Sequence, residues 1–100
     1  MRTYTIAPGR LARYVADFER RGLPVIGRYA ELVAYWIVEV GPLNQVVHVW
    51  RYRDAADRAR QRALLYADPD WVEGYLPTAL DHVQHQESRL LVGAPFSPLR

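Results

Sequence analysis

The sequence predicts an α+β fold of the ferredoxin-like kind, a four-stranded antiparallel sheet in the order βαββαβ with two helices across one face. Three observations predict it. Two strand-like runs, Glu31 to Val40 and Gln45 to Arg53, flank the turn residues Gly41-Pro42-Leu43-Asn44 and so form a central hairpin. Helical periodicity stands before and after that hairpin, and shorter strand-like segments stand near both ends of the chain. One hundred residues suffice for one core and are too few for two of ordinary size, so residues 1–100 are expected to be a single domain.

Taken in order, Thr3 to Ile6 is the first strand, β-branched and aromatic, stopped by Pro8-Gly9. Leu11, Tyr14, Val15 and Phe18 then recur at helical spacing with Arg10, Arg13, Asp17, Arg20 and Arg21 opposite, and Gly22 is placed as a C-terminal cap. Leu23 to Gly27 is an irregular connection with room for one extra helical turn. From Leu32 to Val38 the second strand has no polar break, so both of its faces need cover. The third strand alternates more visibly. Asp54 is the N-cap of a helix through about Tyr66, whose inward face is expected to carry Ala56, Ala59, Ala63 and either Leu64 or Tyr66. Asp68-Pro69 opens a short helix with Trp71, Tyr75 and Leu76 on its apolar side, and Pro77 either ends it or starts another turn. Gln84 to Val92 is the fourth strand, followed by an extended tail.

Two helices cover one face of such a sheet and leave the other open. Half of the residues are apolar and 12% are aromatic, a heavy load for one small domain. The open face is therefore expected to be buried by a second copy, making a homodimer.

Composition excludes several functions. No cysteine is present, which removes disulfides, thiolate metal sites and a cysteine nucleophile. All 13 basic residues are arginine, the formal net charge is only +2, and Arg58, Arg60 and Arg62 alternate around a helix instead of forming one stripe, so nucleic-acid binding is not expected. No apolar run approaches a membrane span and the first residues lack a signal-peptide core, so no membrane association and a cytoplasmic location are expected. His82 and His85 straddle a helix-to-strand boundary, which spoils them as metal ligands with His48, and no metal or cofactor is expected. Gly-rich phosphate loops, nucleophile elbows and paired catalytic carboxylates are missing.

A four-residue hairpin loop sets Val40 opposite Gln45 and collects Val33, Tyr35, Ile37 and Glu39 with Val46, His48, Trp50 and Tyr52 on one sheet face. A one-residue change in loop length would break this sorting, because side chains alternate with period two. That face joins aromatic walls to a histidine, a carboxylate and phenols, the composition of a small-molecule site, and Tyr4 of the first strand can join it. His48 is either an acid or base oriented by Glu39 or Tyr35, or a hydrogen-bonded core residue between Val47 and Val49. Glu39 is a base, an orienter or an exposed rim charge. Asn44 either binds a ligand carbonyl or serves the turn backbone, and Trp50 and Tyr52 either wall a ligand site or pack the core.

The stretch Gly-Pro-Leu-Asn-Gln-Val-Val-His-Val-Trp-Arg-Tyr, residues 41–52, resembles the central hairpin of NIPSNAP proteins. Arg2-Thr3-Tyr4-Thr5 with Pro8-Gly9, Tyr35-Trp36 to Glu39, Asp68-Pro69-Asp70-Trp71, and Gln86 to Leu91 with Pro95 to Leu99 resemble that family's other segments in the same order. The resemblance implies a dimeric α+β barrel, a wider group that includes cofactor-free monooxygenases, polyketide cyclases, isomerases and haem-degrading enzymes. It carries over no catalytic residues. Two function classes follow. One is a small-molecule-binding homodimer that transfers protons, cyclises or oxygenates an apolar or aromatic substrate without a cofactor, with His48, Glu39 and Tyr35 as catalytic candidates and Tyr4, Asn44, Trp50 and Tyr52 as ligand contacts. The other is a non-catalytic homodimeric accessory or protein-interaction module.

Overall fold

Strand β1 (Arg2–Ile6) runs up the middle of the sheet, and the chain turns at Gly9, whose φ of +81° is open to glycine at no steric cost. The computed structural model describes all residues, 1–100. Helix α1 (Leu11–Asp17) does not stop at Gly22: it passes through a π-helical segment, Phe18–Gly22, into α2 (Leu23–Ile26). Gly22 keeps helical dihedrals and is buried, so it is no C-terminal cap. Its role is close approach. A Cβ placed there would lie 2.7 Å from Tyr75 Cζ and 2.9 Å from Phe18 Cδ2. Gly22→Ala is accordingly expected to destabilise the chain by about 1–3 kcal/mol through overpacking. The check is a lower urea midpoint with an unchanged slope; an unaltered midpoint would mean that the two segments can part without strain.

The hairpin follows as β2 (Glu31–Ile37) and β3 (Gln45–Arg51), then α3 (Ala55–Ala67), a second π-helical segment (Asp70–Tyr75), α4 (Leu76–Leu80) and β4 (Val83–Ser88). Asp54 caps α3 as expected, its carboxylate accepting from the Asp57 N–H at 2.7 Å, and Pro77 falls in the first turn of α4, opening a turn instead of ending one. The sheet order is β2-β3-β1-β4, antiparallel throughout, with all helices against one face. No helix is long and apolar enough to cross a membrane.

The hairpin register differs from the four-residue-loop expectation by two positions. Tyr35 lies opposite His48 and Ile37 opposite Val46, the Val38 N–H donates to the Gln45 carbonyl at 3.0 Å, and the loop takes Glu39 to Asn44, two residues more than expected. Gly41 (φ +136°) and Asn44 (φ +63°) turn the chain, and the Asn44 carbonyl accepts from the Ile6 N–H at 2.7 Å, which ties the loop's end to β1. A shift of two keeps parity, so Tyr35, Ile37, Val46 and His48 still share a face. An irregularity between Leu32 and Ala34 then exchanges Val33 for Leu32, which takes the place opposite Trp50.

That face is the one beneath the helices. Tyr4, Ile6 and Val46 join Tyr14, Phe18, Val25, Ile26, Leu65, Trp71, Tyr75 and Ala79 in a single core. The opposite face presents Thr3 and Thr5 of β1, Val47 and Val49 of β3, and Ala34 and Trp36 of β2, with Trp36 left 56% exposed. Within one chain nothing covers it.

Two expectations fail on the periphery. In α3 the inward residues are Asp57 and Leu65, while Ala56, Ala59, Ala63, Leu64 and Tyr66 are exposed. Alanines contribute little area to either side, and the Asp57 carboxylate can face inward because the Arg53 N–H, Arg60 and Gln61 all donate to it. Strand β4 ends at Ser88, not Val92: it pairs with β1 as far as Arg2, and the Arg89 N–H donates to the carbonyl of Met1. Leu90, Leu91, Val92 and Phe96 are exposed beyond it.

Candidate functional site

Strand β3 places His48 at the centre of the sheet, opposite Tyr35 on one side and Arg2 on the other. The imidazole is 5% exposed. Tyr35 stacks on it with ring centroids 5.0 Å apart and planes 10° from parallel, and Tyr4 meets it edge-on at 4.7 Å. Phe18, from the first π-helical segment, stacks on Tyr35 at 4.9 Å and meets Trp50 and Tyr75 edge-on. His48 thus lies in an aromatic box closed by the sheet below and the two π-helical segments above.

The ring is oriented by a residue that sequence reasoning treated as a wall. The indole N–H of Trp50 donates to His48 Nδ1 at 2.6 Å. An indole nitrogen is a donor only, so Nδ1 must hold a lone pair, and the neutral ring carries its proton on Nε2. Burial, with smaller contributions from the charges of Arg2 and the N-terminus, pushes the His48 pKa down to about 3. His48 is therefore a neutral Nε2–H donor at physiological pH, not a base waiting to be charged. Burial raises the phenols of Tyr4, Tyr14, Tyr35 and Tyr75 in turn, so they too remain protonated donors.

His48 Nε2 and Trp71 Nε1 are buried and have no hydrogen-bond partner, and the buried Tyr35 and Tyr75 hydroxyls make no hydrogen bond of ordinary geometry and have only the Tyr14 hydroxyl near them. Each such group costs about 1–3 kcal/mol when left unsatisfied, and native interiors hold few of them. Three lie on residues of the box and its roof. A ligand oxygen with free lone pairs is the chemical complement of this set.

The remaining candidates fall elsewhere. Glu39 lies in the hairpin loop, exposed and past the end of β2, which matches the rim charge among its readings. Asn44 serves the backbone, with positive φ and its carbonyl on Ile6. Tyr52 follows β3 and lines a groove of about 500 Å3 with Arg28, Arg51, Arg53 and Asp57, apart from His48. A second groove, of about 330 Å3, lies between α1 and the end of α4. Neither reaches His48. His82 sits in the second groove beside Arg10, and His85 stands on the open sheet face 3.5 Å from Glu87.

Sequence reasoning missed Tyr14, Phe18 and Tyr75 as members of the box. Phe18 and Tyr75 come from two separate π-helical segments far apart in sequence, which meet through the two rings themselves and through the close approach of Gly22 to the Tyr75 ring. The Trp50 bond to His48 did leave a signal, since residues two apart in a strand share a face.

A family model described as NIPSNAP matches residues 1–98. The human protein NipSnap homolog 3A is 32% identical over 99 residues, covering 98% of this chain and 40% of that protein, and a NipSnap homolog of Dictyostelium discoideum is 35% identical over 92 residues, covering 92% of this chain and 40% of that protein. The chain thus spans about two fifths of the length of these relatives. Among solved structures, an uncharacterised NIPSNAP domain protein of Burkholderia xenovorans is 40% identical with a TM-score of 0.93, covering 97% of this chain and 94% of that one. A NIPSNAP family protein of Agrobacterium tumefaciens is 32% identical with a TM-score of 0.95, covering 99% and 87%.

Proposed function

The chain belongs to the NIPSNAP family, and on that footing we propose that it is a homodimeric protein that takes up a small, largely apolar or aromatic ligand bearing a carbonyl or similar oxygen acceptor. The observation that carries this reading is the set of buried donors without acceptors inside an aromatic box. His48 Nε2–H and the Tyr35 hydroxyl would hold the ligand oxygen, Tyr4 and Phe18 would pack against the rest of the molecule, and Trp50 would keep the imidazole in its donating tautomer. Donors aimed at one oxygen also stabilise negative charge developing there, which is how a cofactor-independent proton transfer or oxygenation would begin. The raised phenols and depressed imidazole leave none of these groups a ready base near neutral pH, so the geometry favours binding and polarisation of the ligand over proton removal. Glu39, Asn44 and Tyr52 take no part, given where they lie.

Titration with acetophenone, and in parallel with ethylbenzene, which keeps the ring but lacks the oxygen, tests the reading. Acetophenone is expected to change the tryptophan fluorescence saturably, since Trp50 is bonded to the donor it would engage, and to bind at least about tenfold tighter than ethylbenzene, because an apolar ligand leaves the donors unpaired. His48→Phe should abolish that preference. Equal binding of the two probes by the native chain, or uptake of neither, would remove the site. The tight closure around His48 favours a second reading, a non-catalytic accessory module, which uptake of neither probe would support.

The homodimer forms, in this proposal, by pairing the open sheet faces of two copies. Thr3, Thr5, Ala34, Trp36, Val47 and Val49 make a patch that is apolar at its middle and carries the Arg51–Glu31 and His85–Glu87 pairs toward its edges, a layout that suits an isologous interface.

A further inference from the structure

The groove between α1 and the end of α4 has a charge pattern that the His48 box does not use. Arg13, Arg20 and Arg21 line it with one carboxylate, Asp17, and with Thr78 and His82. Arg21 donates to Asp17 at 3.2 Å and also to the Gly74 carbonyl, which anchors it, while Arg20 stands 3.8 Å from the same carboxylate. Arg13 makes no ion pair. Arg10, at the rim, has His82 Nδ1 as its side-chain partner, at 3.4 Å. Guanidinium is always a donor, so this contact assigns Nδ1 as the acceptor and leaves the His82 Nε2–H free to donate.

Six of the 13 arginines pair with carboxylates, Arg28 with Asp68 and Asp70 and Arg51 with Glu31 among them, and seven, Arg13 included, pair with none. Here three guanidiniums line one groove whose single carboxylate pairs with Arg20 and Arg21 and leaves Arg13 without a counter-charge, and a neutral hydroxyl and an imidazole donor stand beside them. An excess of planar, fork-shaped cations around neutral donors is the chemistry that recognises tetrahedral oxyanions, since guanidinium bonds phosphate oxygens in pairs. At about 330 Å3 the space suits a small molecule.

We propose that the groove formed by Arg13, Arg20, Arg21, Thr78 and His82 is a binding site for a phosphomonoester dianion carried on a small soluble molecule. It is independent of the His48 reading and stands or falls separately from it. The shared chemistry of soluble phosphomonoesters and lipid headgroups makes the source a question for the test.

The experiment is an amide-resolved NMR titration of the full chain at neutral pH and constant ionic strength, with chloride as the reference anion. Inorganic phosphate and phenyl phosphate are expected to shift the amides of Ala16, Thr78 and His82 saturably, with a Kd of about 1 mM or tighter. The double variant Arg13→Ala, Arg20→Ala should weaken phosphate binding at least about tenfold, whereas Arg60→Ala, on the remote helix α3, should leave it unchanged. The native spectrum of each variant shows that it remains folded. Linear, unsaturated shifts, or equal affinity after removing Arg13 and Arg20, would overturn the proposal. Co-sedimentation with phosphatidylcholine vesicles containing phosphatidic acid, without saturable binding of the soluble phosphates, would overturn it in favour of a membrane surface.

Discussion

Acidification from pH 7 to pH 4 is expected to remove about 3 kcal/mol of folding stability through His48 alone. The folded chain holds this imidazole near a pKa of about 3, against an ordinary value of 6.5, because burial removes the water that would solvate its charged form. Between those values the unfolded chain binds a proton that the folded chain refuses. Stability therefore rises with pH across that window: the contribution is complete above about pH 6.5 and is lost progressively as the pH falls toward 3. Asp57 and Asp68, both held below the ordinary carboxylate range chiefly by the hydrogen bonds they accept, also lose their contribution on acidification, but only as the pH falls through their unfolded value of 3.8 and below. The interval from pH 6.5 to 4 thus isolates the histidine. Urea unfolding of the native chain and of His48→Phe at pH 7 and pH 4 should show the native chain losing about 3 kcal/mol more than the variant. Parallel losses in the two chains would mean that the ring is reached by water and that the box is not closed.

Val47→Asp is expected to convert the proposed dimer to a monomer without unfolding the chain. Val47 lies in β3 between Trp36 of β2 and Thr3 of β1, in the middle of the sheet face that no helix covers. In one chain the new carboxylate can stay hydrated. In the proposed pair it would be buried without a partner, at a cost of about 3–5 kcal/mol for each copy, enough to weaken association by about ten-thousandfold or more. Sedimentation velocity at micromolar concentration should give a dimer for the native chain and a monomer for the variant, with unchanged far-UV circular dichroism. A native chain that sediments as a monomer, or a variant that stays dimeric, would remove the sheet-to-sheet interface.

The pairing of Tyr35 and His48 on one face was legible because strand alternation is local, and it survived an error in loop length only because that error was two residues and not one. Of the three readings of Glu39, as base, orienter or exposed rim charge, the longer loop leaves the last, since it removes the residue from the strand and exposes it. The inward side of α3 was misread because alanines were taken as its apolar stripe, whereas a carboxylate satisfied by three donors occupies that side. Gly22 was read as a helix stop from local chemistry. A contact more than fifty residues away in sequence, with Tyr75, is what requires it.

By itself the sequence determined the order of elements, the hairpin and the face that gathers His48, Tyr35 and Trp50, because propensity, turn chemistry and period-two alternation all act over a few residues. Only the tertiary structure decided that this face lies under the helices and not on the open side, that Phe18 and Tyr75 roof it, and that His48 is held neutral. Those properties depend on which distant surfaces exclude water from one another, and neither burial nor the pKa it depresses is encoded in any short stretch of chain.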